Sequence, residues 1–268
     1  MKVGIVQISL EQGNPSKNYD NVNTIIKNAM QRQVKPEVIV LPELWTTGYD
    51  VEKEKFKKLV SPEGKESEEF LRKLAKQYNI WFAGGSVGCS TAEGLKCRAQ
   101  IINPQGKLVS YYDKIHLFSG SPYREDETFI PGKKLPEIFT LYNIPSTCVI
   151  CYDIRFCELT RKLALQGAKL LFISSSWPLI RLEHWRYFLI TRAIENQMFV
   201  VASTLTGKTG DNIFSGHSMA VDPWGKIIGE LDENTEDVIV VDVDLNKVEE
   251  ARNKIPIFVD RKPKIYQL

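Results

Sequence analysis

The chain has 268 residues, with 35 lysines and arginines against 33 aspartates and glutamates, for a formal charge of +2. That near balance argues against nucleic acid or an anionic membrane as partner, since both select concentrated basic surfaces. Hydrophobic content of 43% is ordinary for a globular chain, and no apolar run approaches the ~18 residues of a membrane helix.

In chain order, residues 2–10 read as a strand. Tyr19, Val22, Ile25, Ile26, Ala29 and Met30 share one face of a helix over 16–33. Val38-Ile39-Val40-Leu41-Pro42-Glu43 is an apolar run of buried-strand type that ends in a carboxylate. Phe70, Leu71, Leu74, Ala75 and Tyr78 predict a helix over 66–78, followed by a strand over 80–86. Asn103-Pro104-Gln105-Gly106 reads as a hairpin turn. The strand after it, Leu108-Val109-Ser110-Tyr111-Tyr112-Asp113-Lys114, delivers an amine. Thr147-Cys148-Val149-Ile150-Cys151-Tyr152-Asp153 is a strand running into a sharp turn and a helix over 156–166. A strand over 169–174, a helix over 182–196 and a strand over 198–204 follow. A second hairpin around Asp222-Pro223-Trp224-Gly225 precedes a strand over 238–243, and the tail 253–268 has little periodicity. Helices between strands predict a layered α/β fold, and the hairpins make its sheets mixed. Glycine and proline are scattered without a linker, so one domain over 1–268 is expected.

Glu43, Lys114 and Cys151 thus stand at the ends of three predicted strands and can converge on one crevice. A strand-to-helix elbow exposes its nucleophile and sets backbone N–H groups beside it. Acyl transfer by a thiol needs a base for the proton and a cation near the oxyanion. Glu43 is the natural base. Lys114 cannot accept a proton while charged, so its role is electrostatic: it favours the thiolate and holds the tetrahedral oxygen. The Tyr152 backbone N–H is the second expected oxyanion donor. Against this, a cysteine on a strand is more often an inert small hydrophobe.

Leu41-Pro42-Glu43, Tyr112-Asp113-Lys114-Ile115-His116-Leu117-Phe118 and Cys151-Tyr152-Asp153-Ile154-Arg155-Phe156 resemble the three signature blocks of the nitrilase superfamily of carbon–nitrogen hydrolases. The resemblance runs from Val3 to about Val243. It implies a four-layer α-β-β-α sandwich, two mixed sheets face to face with helices outside, and a Glu43-Lys114-Cys151 triad. It further implies an amidase that converts a primary amide to a carboxylic acid and ammonia through a thioester on Cys151. In this family a second glutamate often precedes a Pro-Gly pair and contacts the lysine; Glu125 is expected there, ahead of Glu127, in a loop that otherwise reads as solvated surface. Where many relatives have proline, this chain has Cys157, expected to be a packed, unreactive thiol.

Tyr152-Asp153 stands where the nitrilase branch has Trp-Glu, which disfavours a true nitrilase. With Trp177-Pro178, His184-Trp185, Arg192-Ala193-Ile194-Glu195-Asn196-Gln197 and Gly216-His217-Ser218, the chain looks most like the ω-amidase branch. That resemblance implies ω-amides of 2-oxo dicarboxylic acids such as 2-oxoglutaramate. A deaminated-glutathione amidase, an N-carbamoyl-amine hydrolase and a non-catalytic binding protein on the same scaffold are the alternatives. Arg155 either pairs with a nearby carboxylate or captures the substrate's, a bidentate task that suits a guanidinium. Trp177 and Pro178 are expected as pocket wall.

No cofactor or metal is expected. Cys148 and Cys151 form a C-x-x-C, but the residues between them are β-branched and within a strand, where positions three apart face opposite ways. Five cysteines and no export signal suit reduced thiols, so a cytoplasmic location is expected. The resemblance also implies a homodimer or higher homo-oligomer, with segment 250–268 in the contact.

Overall fold

The structure, a computed structural model, describes residues 1–49, 51–120 and 124–266. Its strands, in chain order, are β1 (Lys2–Gln7), β2 (Val38–Val40), β3 (Trp81–Thr91), β4 (Gly94–Ile102), β5 (Leu108–Asp113), β6 (Phe139–Leu141) and β7 (Ile144–Ile150). Then come β8 (Leu170–Ser174), β9 (Phe199–Ser203), β10 (Lys208–Thr209), β11 (Asn212–Ile213), β12 (Met219–Val221), β13 (Ile227–Glu230) and β14 (Asp237–Asp242). One six-stranded sheet has the order β14-β1-β2-β3-β4-β5 and the other β13-β12-β9-β8-β7-β6; β10 and β11 form a separate hairpin. In each sheet the central strands are parallel (β1-β2-β3 and β7-β8-β9) and the outer ones antiparallel. Both sheets are mixed, as expected.

The period of two along each strand builds the layers. On β8, Leu170 and Phe172 face the core between the sheets, while Leu171 and Ile173 face helices. On β2, Val38 and Val40 point inward to that same core and Ile39 outward. Helices α1 (Pro15–Met30) and α3 (Lys65–Tyr78) cover the first sheet through Val22, Ile26, Ala29, Leu71, Leu74 and Ala75. Between them in sequence lies the short α2 (Lys53–Leu59). Helices α4 (Cys157–Leu165) and α5 (Leu182–Asn196) cover the second sheet through Leu159, Leu163, Trp185, Leu189 and Ala193. Burying each such side chain contributes about 1.5–3 kcal/mol, so the three apolar seams set the four-layer order. Local signals agree: the Asn14 side chain caps α1 by accepting from the Lys17 N–H, and Pro15 opens the helix. Among the described residues no helix is long and apolar enough to cross a membrane.

Departures from the sequence reading have local causes. β1 stops at Gln7 because its ladder partner β14 begins at Asp237, opposite it. β2 stops at Val40, just before Pro42, which has no N–H for the ladder. β3 continues past the expected end to Thr91, through a register shift between Ala83 and Ser86. There Gly85 adopts φ +67°, and a Cβ on it would lie 2.4 Å from the Pro42 carbonyl oxygen. Only glycine lets the bulge pass that close to the residues carrying Glu43. α2, β6, the β10–β11 hairpin and α6 (Asn246–Lys254) lack an apolar period long enough to be read; α2 buries only Phe56.

Candidate active site

Glu43 follows the end of β2, and the next residue, Leu44, turns the chain with φ +48°. The bulged β3 holds this corner: Ser86 Oγ accepts from the Leu44 N–H at 3.1 Å, and the Ser86 N–H donates to the Pro42 carbonyl at 3.2 Å. Lys114 follows β5 directly, its N–H donating to the Cys97 carbonyl at 2.9 Å. Cys151 follows β7 and itself has φ +43°, a conformation that costs a non-glycine residue on the order of 1–3 kcal/mol. Strain of this kind at a strand-to-helix elbow is what holds a nucleophile out of the sheet.

The elbow is fixed by Asp153, a fully buried carboxylate that the sequence reading left without a role. Asp153 Oδ2 accepts from Tyr112 Oη at 2.8 Å and from the Ile150 N–H at 3.0 Å. Its Oδ1 accepts from the His116 N–H at 3.2 Å and lies 2.8 Å from His116 Nδ1, whose ring stacks on Phe156. Residues of the lysine block thereby grip the cysteine block. The signal was present in the quoted motifs, but nothing in the spacing says that Asp153 points back to Tyr112 and His116.

Three charges meet beside the thiol. Lys114 Nζ donates to Glu43 Oε1 and to Glu125 Oε1, both at 2.7 Å, with its side chain completely buried. Glu43 Oε2 accepts from the Ser176 N–H at 2.9 Å, and Glu125 Oε2 accepts from the Phe118 N–H at 2.7 Å. Ser175 Oγ donates to Cys151 Sγ at 3.2 Å, and the thiol is close enough to Glu43 to lower its proton affinity. Glu43, Lys114, Cys151 and Glu125 therefore form one contiguous group. Ser175 and Ser176 were missed; only the run Ser174-Ser175-Ser176 at a strand end hinted at them.

Burial dominates the proton affinities. It raises Glu43 above the ordinary carboxylate value, with Lys114 opposing and Glu125 reinforcing. Lys114 is held well above its usual value: burial pulls it down, but Glu125 and Glu43 outweigh that. Burial, then Glu43, pushes the Cys151 thiol up; Lys114 favours the thiolate but is outweighed. Burial thus favours the neutral thiol of Cys151 beside Glu43.

The crevice above Cys151 is lined by Tyr152, Arg155, Trp177, Pro178, Phe118 and Arg181, among others. Trp177 lines the crevice and is buried, its ring N–H donating to the Arg181 carbonyl at 2.7 Å. Pro178 bridges to Phe214 across the same wall. Arg155 has no carboxylate partner among the described residues. Its guanidinium lies 4.7 Å from the Trp177 ring centre and 5.0 Å from that of Phe188, and its Nη1 is 3.5 Å from His184 Nδ1.

All five cysteines are free. Cys148 faces the inter-sheet core, its thiol pushed up to about 12 by burial, then by Asp153. One expectation is corrected: Cys157 is not packed but exposed, on the first turn of α4, whose inward positions are taken by Leu159 and Leu163. Its thiol is nevertheless held above the usual value, by desolvation and then by a hydrogen bond to Glu158. Among the described residues no group of three or more histidines, cysteines or carboxylates could hold a metal ion.

The chain is 36% identical over 264 residues to the 2-oxoglutaramate amidase of Bacillus subtilis, covering 98% of each protein. It is 38% identical over 270 residues to the "hydrolase in agr operon" of Staphylococcus aureus, covering both proteins in full. The crystal structure of Saccharomyces cerevisiae Nit3, a member of branch 10 of the nitrilase superfamily, superposes with a TM-score of 0.86 at 30% identity, over 96% of this chain and 94% of Nit3. Residues 2–253 match the carbon–nitrogen hydrolase family. With its two mixed sheets, its outer helices and a buried lysine between two glutamates beside a thiol, the chain belongs to the carbon–nitrogen hydrolase family.

Proposed function

We propose that this carbon–nitrogen hydrolase is an ω-amidase, releasing ammonia from the terminal amide of a 2-oxo dicarboxylic acid monoamide such as 2-oxoglutaramate. The observation that carries the reading is the pairing of an acyl-transfer group, Glu43-Lys114-Cys151, with a crevice lined by Arg155, which has no carboxylate partner among the described residues. The Bacillus subtilis relative supports the substrate by its named activity. Glu43 takes the thiol proton as Cys151 sulfur attacks the amide carbon. The tetrahedral oxygen accepts from the Lys114 ammonium and the Tyr152 N–H. Glu43 returns the proton to the leaving nitrogen, ammonia departs, and a thioester remains. Glu43 then draws a proton from water, which attacks the thioester, and the acid is released as the thiol re-forms. Glu125, also 2.7 Å from Lys114 Nζ, braces the ammonium.

The substrate is tested by ammonia release from 2-oxoglutaramate, deaminated glutathione and N-carbamoylputrescine. A carboxylate held by a guanidinium gains charge-assisted, bidentate hydrogen bonds, whereas a cationic ureido compound meets Arg155 with like charge. Highest kcat/KM is expected for 2-oxoglutaramate, and Arg155→Lys should raise its KM. Preference for the carbamoyl compound would remove both the ω-amidase reading and this role for Arg155.

The pH profile tests Glu43 as base. Only the carboxylate can accept the proton, so its raised pKa places the acid limb of kcat/KM above the ordinary carboxylate range. The charge of Glu125 contributes to that rise, so Glu125→Gln should move the limb of its residual activity to lower pH. A limb that moves upward would point to another base.

We further infer a homodimer or larger homo-oligomer. Tyr187 on α5 is 63% exposed, and Val259 and Ile265 in the tail are 81% and 76% exposed. Gln197, capping α5, donates to the Ala251 and Ile255 carbonyls, which ties the tail to that helix. Apolar surface of this kind suits a partner copy. Residues 267–268 of the expected contact segment lie outside the described residues. Light scattering at micromolar concentration should give at least twice the chain mass, and a monomer contradicts the inference.

A further inference from the structure

Arg155 does not stand alone at the crevice mouth. Arg181 lines the same crevice, and it too has no carboxylate partner among the described residues. Its backbone is pinned: the Arg181 N–H donates to the Pro178 carbonyl at 3.0 Å, and its own carbonyl accepts from Trp177. The guanidinium rests over Phe118, 5.4 Å from the ring centre. Both guanidiniums line one crevice, and Arg155 is held below its usual value by burial first and then by the charge of Arg181. Two like charges lining one crevice with no acid beside them among the described residues form a site that an anion would relieve.

A third group faces the same space. Asn212, on the β10–β11 hairpin, lines the crevice, and its Nδ2 is buried without a hydrogen-bond partner among the described residues. A buried donor left unpaired is costly, and such groups in native structures are usually completed by water or ligand. The hairpin is fastened to the pocket wall, with the Phe214 N–H donating to the Gly207 carbonyl at 2.9 Å and the Ser215 N–H to the Trp177 carbonyl at 2.7 Å. The donor is held in place before anything binds.

We propose that Arg181 and Asn212 join Arg155 as a cradle for the acid end of the substrate, the two guanidiniums clamping its carboxylate and Asn212 Nδ2 donating to the 2-oxo oxygen. The proposal rests on the ω-amide reading above and extends it to a selectivity. A 2-oxo group is an acceptor and suits Asn212. A 2-ammonium group at the same carbon brings a charge of the wrong sign beside two guanidiniums and has no acceptor to offer. The cradle therefore selects 2-oxo acid amides over the matching amino acid amides.

The test compares four amides: 2-oxoglutaramate, glutaramate (no 2-oxo group), glutamine and butyramide (no carboxylate). Ratios of kcat/KM taken within one variant do not depend on how much of a preparation is folded. In Arg181→Gln the glutaramate-to-butyramide ratio should fall on the order of ten- to hundredfold through a rise in KM, with part of the loss restored in Arg181→Lys. In Asn212→Ala the 2-oxoglutaramate-to-glutaramate ratio should fall by about tenfold. A wild type that prefers acid-bearing amides, with either variant's ratio unchanged, overturns the cradle alone. A wild type that favours butyramide over every acid-bearing amide overturns the cradle together with the ω-amide reading.

Discussion

Cys151→Ala should abolish turnover, with a loss in kcat of roughly a million-fold, the scale seen when a covalent nucleophile is deleted. Two other cysteines serve as controls. Cys148 lies three residues upstream on β7, inside the inter-sheet core, with a thiol raised to about 12. Cys157 lies six residues downstream of Cys151, at the exposed start of α4. Alanine at either should leave kcat/KM within a few fold. Cys148→Ala removes one buried atom and should lower stability by only about 1 kcal/mol. Steady-state ammonia release with thermal unfolding on the three variants separates lost chemistry from lost fold. Equal damage from Cys148→Ala and Cys151→Ala would mean that the elbow has been misplaced.

The second large effect belongs to Lys114. Its ammonium sits between two carboxylates with no exposed surface. Lys114→Arg keeps the charge but replaces a compact donor with a planar fork too wide for a gap whose two contacts are 2.7 Å. Activity should fall on the order of 10²–10³-fold or more, as when an oxyanion donor is lost. Full activity would show that charge alone suffices. Lys114→Met should also lower stability by about 3–5 kcal/mol near neutral pH, because Glu43 and Glu125 lose their buried counter-charge. The sign with pH is diagnostic. Glu43, already raised by burial, loses the ammonium that opposes the rise, so the folded form binds more protons than the unfolded. The deficit should be full above the raised value of Glu43 and shrink as pH falls through it. Denaturant melts of Lys114→Met across the acid range would reveal this.

The layers and the meeting of Glu43, Lys114 and Cys151 were legible because both follow short-range rules. Alternation along Val38-Ile39-Val40 and the helical face of Val22, Ile26 and Ala29 each report one burial direction. The motifs ending in Glu43, Lys114 and Cys151 carry their own strand-end context. The support around them was not legible. Asp153 holding Tyr112 and His116, and Ser175 on the thiol, depend on which strand ends are neighbours in space. Arg181 and Asn212 lie on a 3₁₀ turn and a two-residue strand, elements too short for any period to reveal. Cys157 was misjudged because a free thiol is usually packed, whereas the face of α4 that carries it has no layer above it.

The central claim is a thioester on Cys151, and rapid acid quench followed by peptide mass measurement tests it most directly. Enzyme mixed with 2-oxoglutaramate and quenched during turnover should carry the acyl group on the peptide containing Cys151. That adduct should disappear once the substrate is consumed and be absent from Cys151→Ala. Ammonia release at the full rate with the acyl group on another residue, or with no adduct at any quench time, would contradict the account.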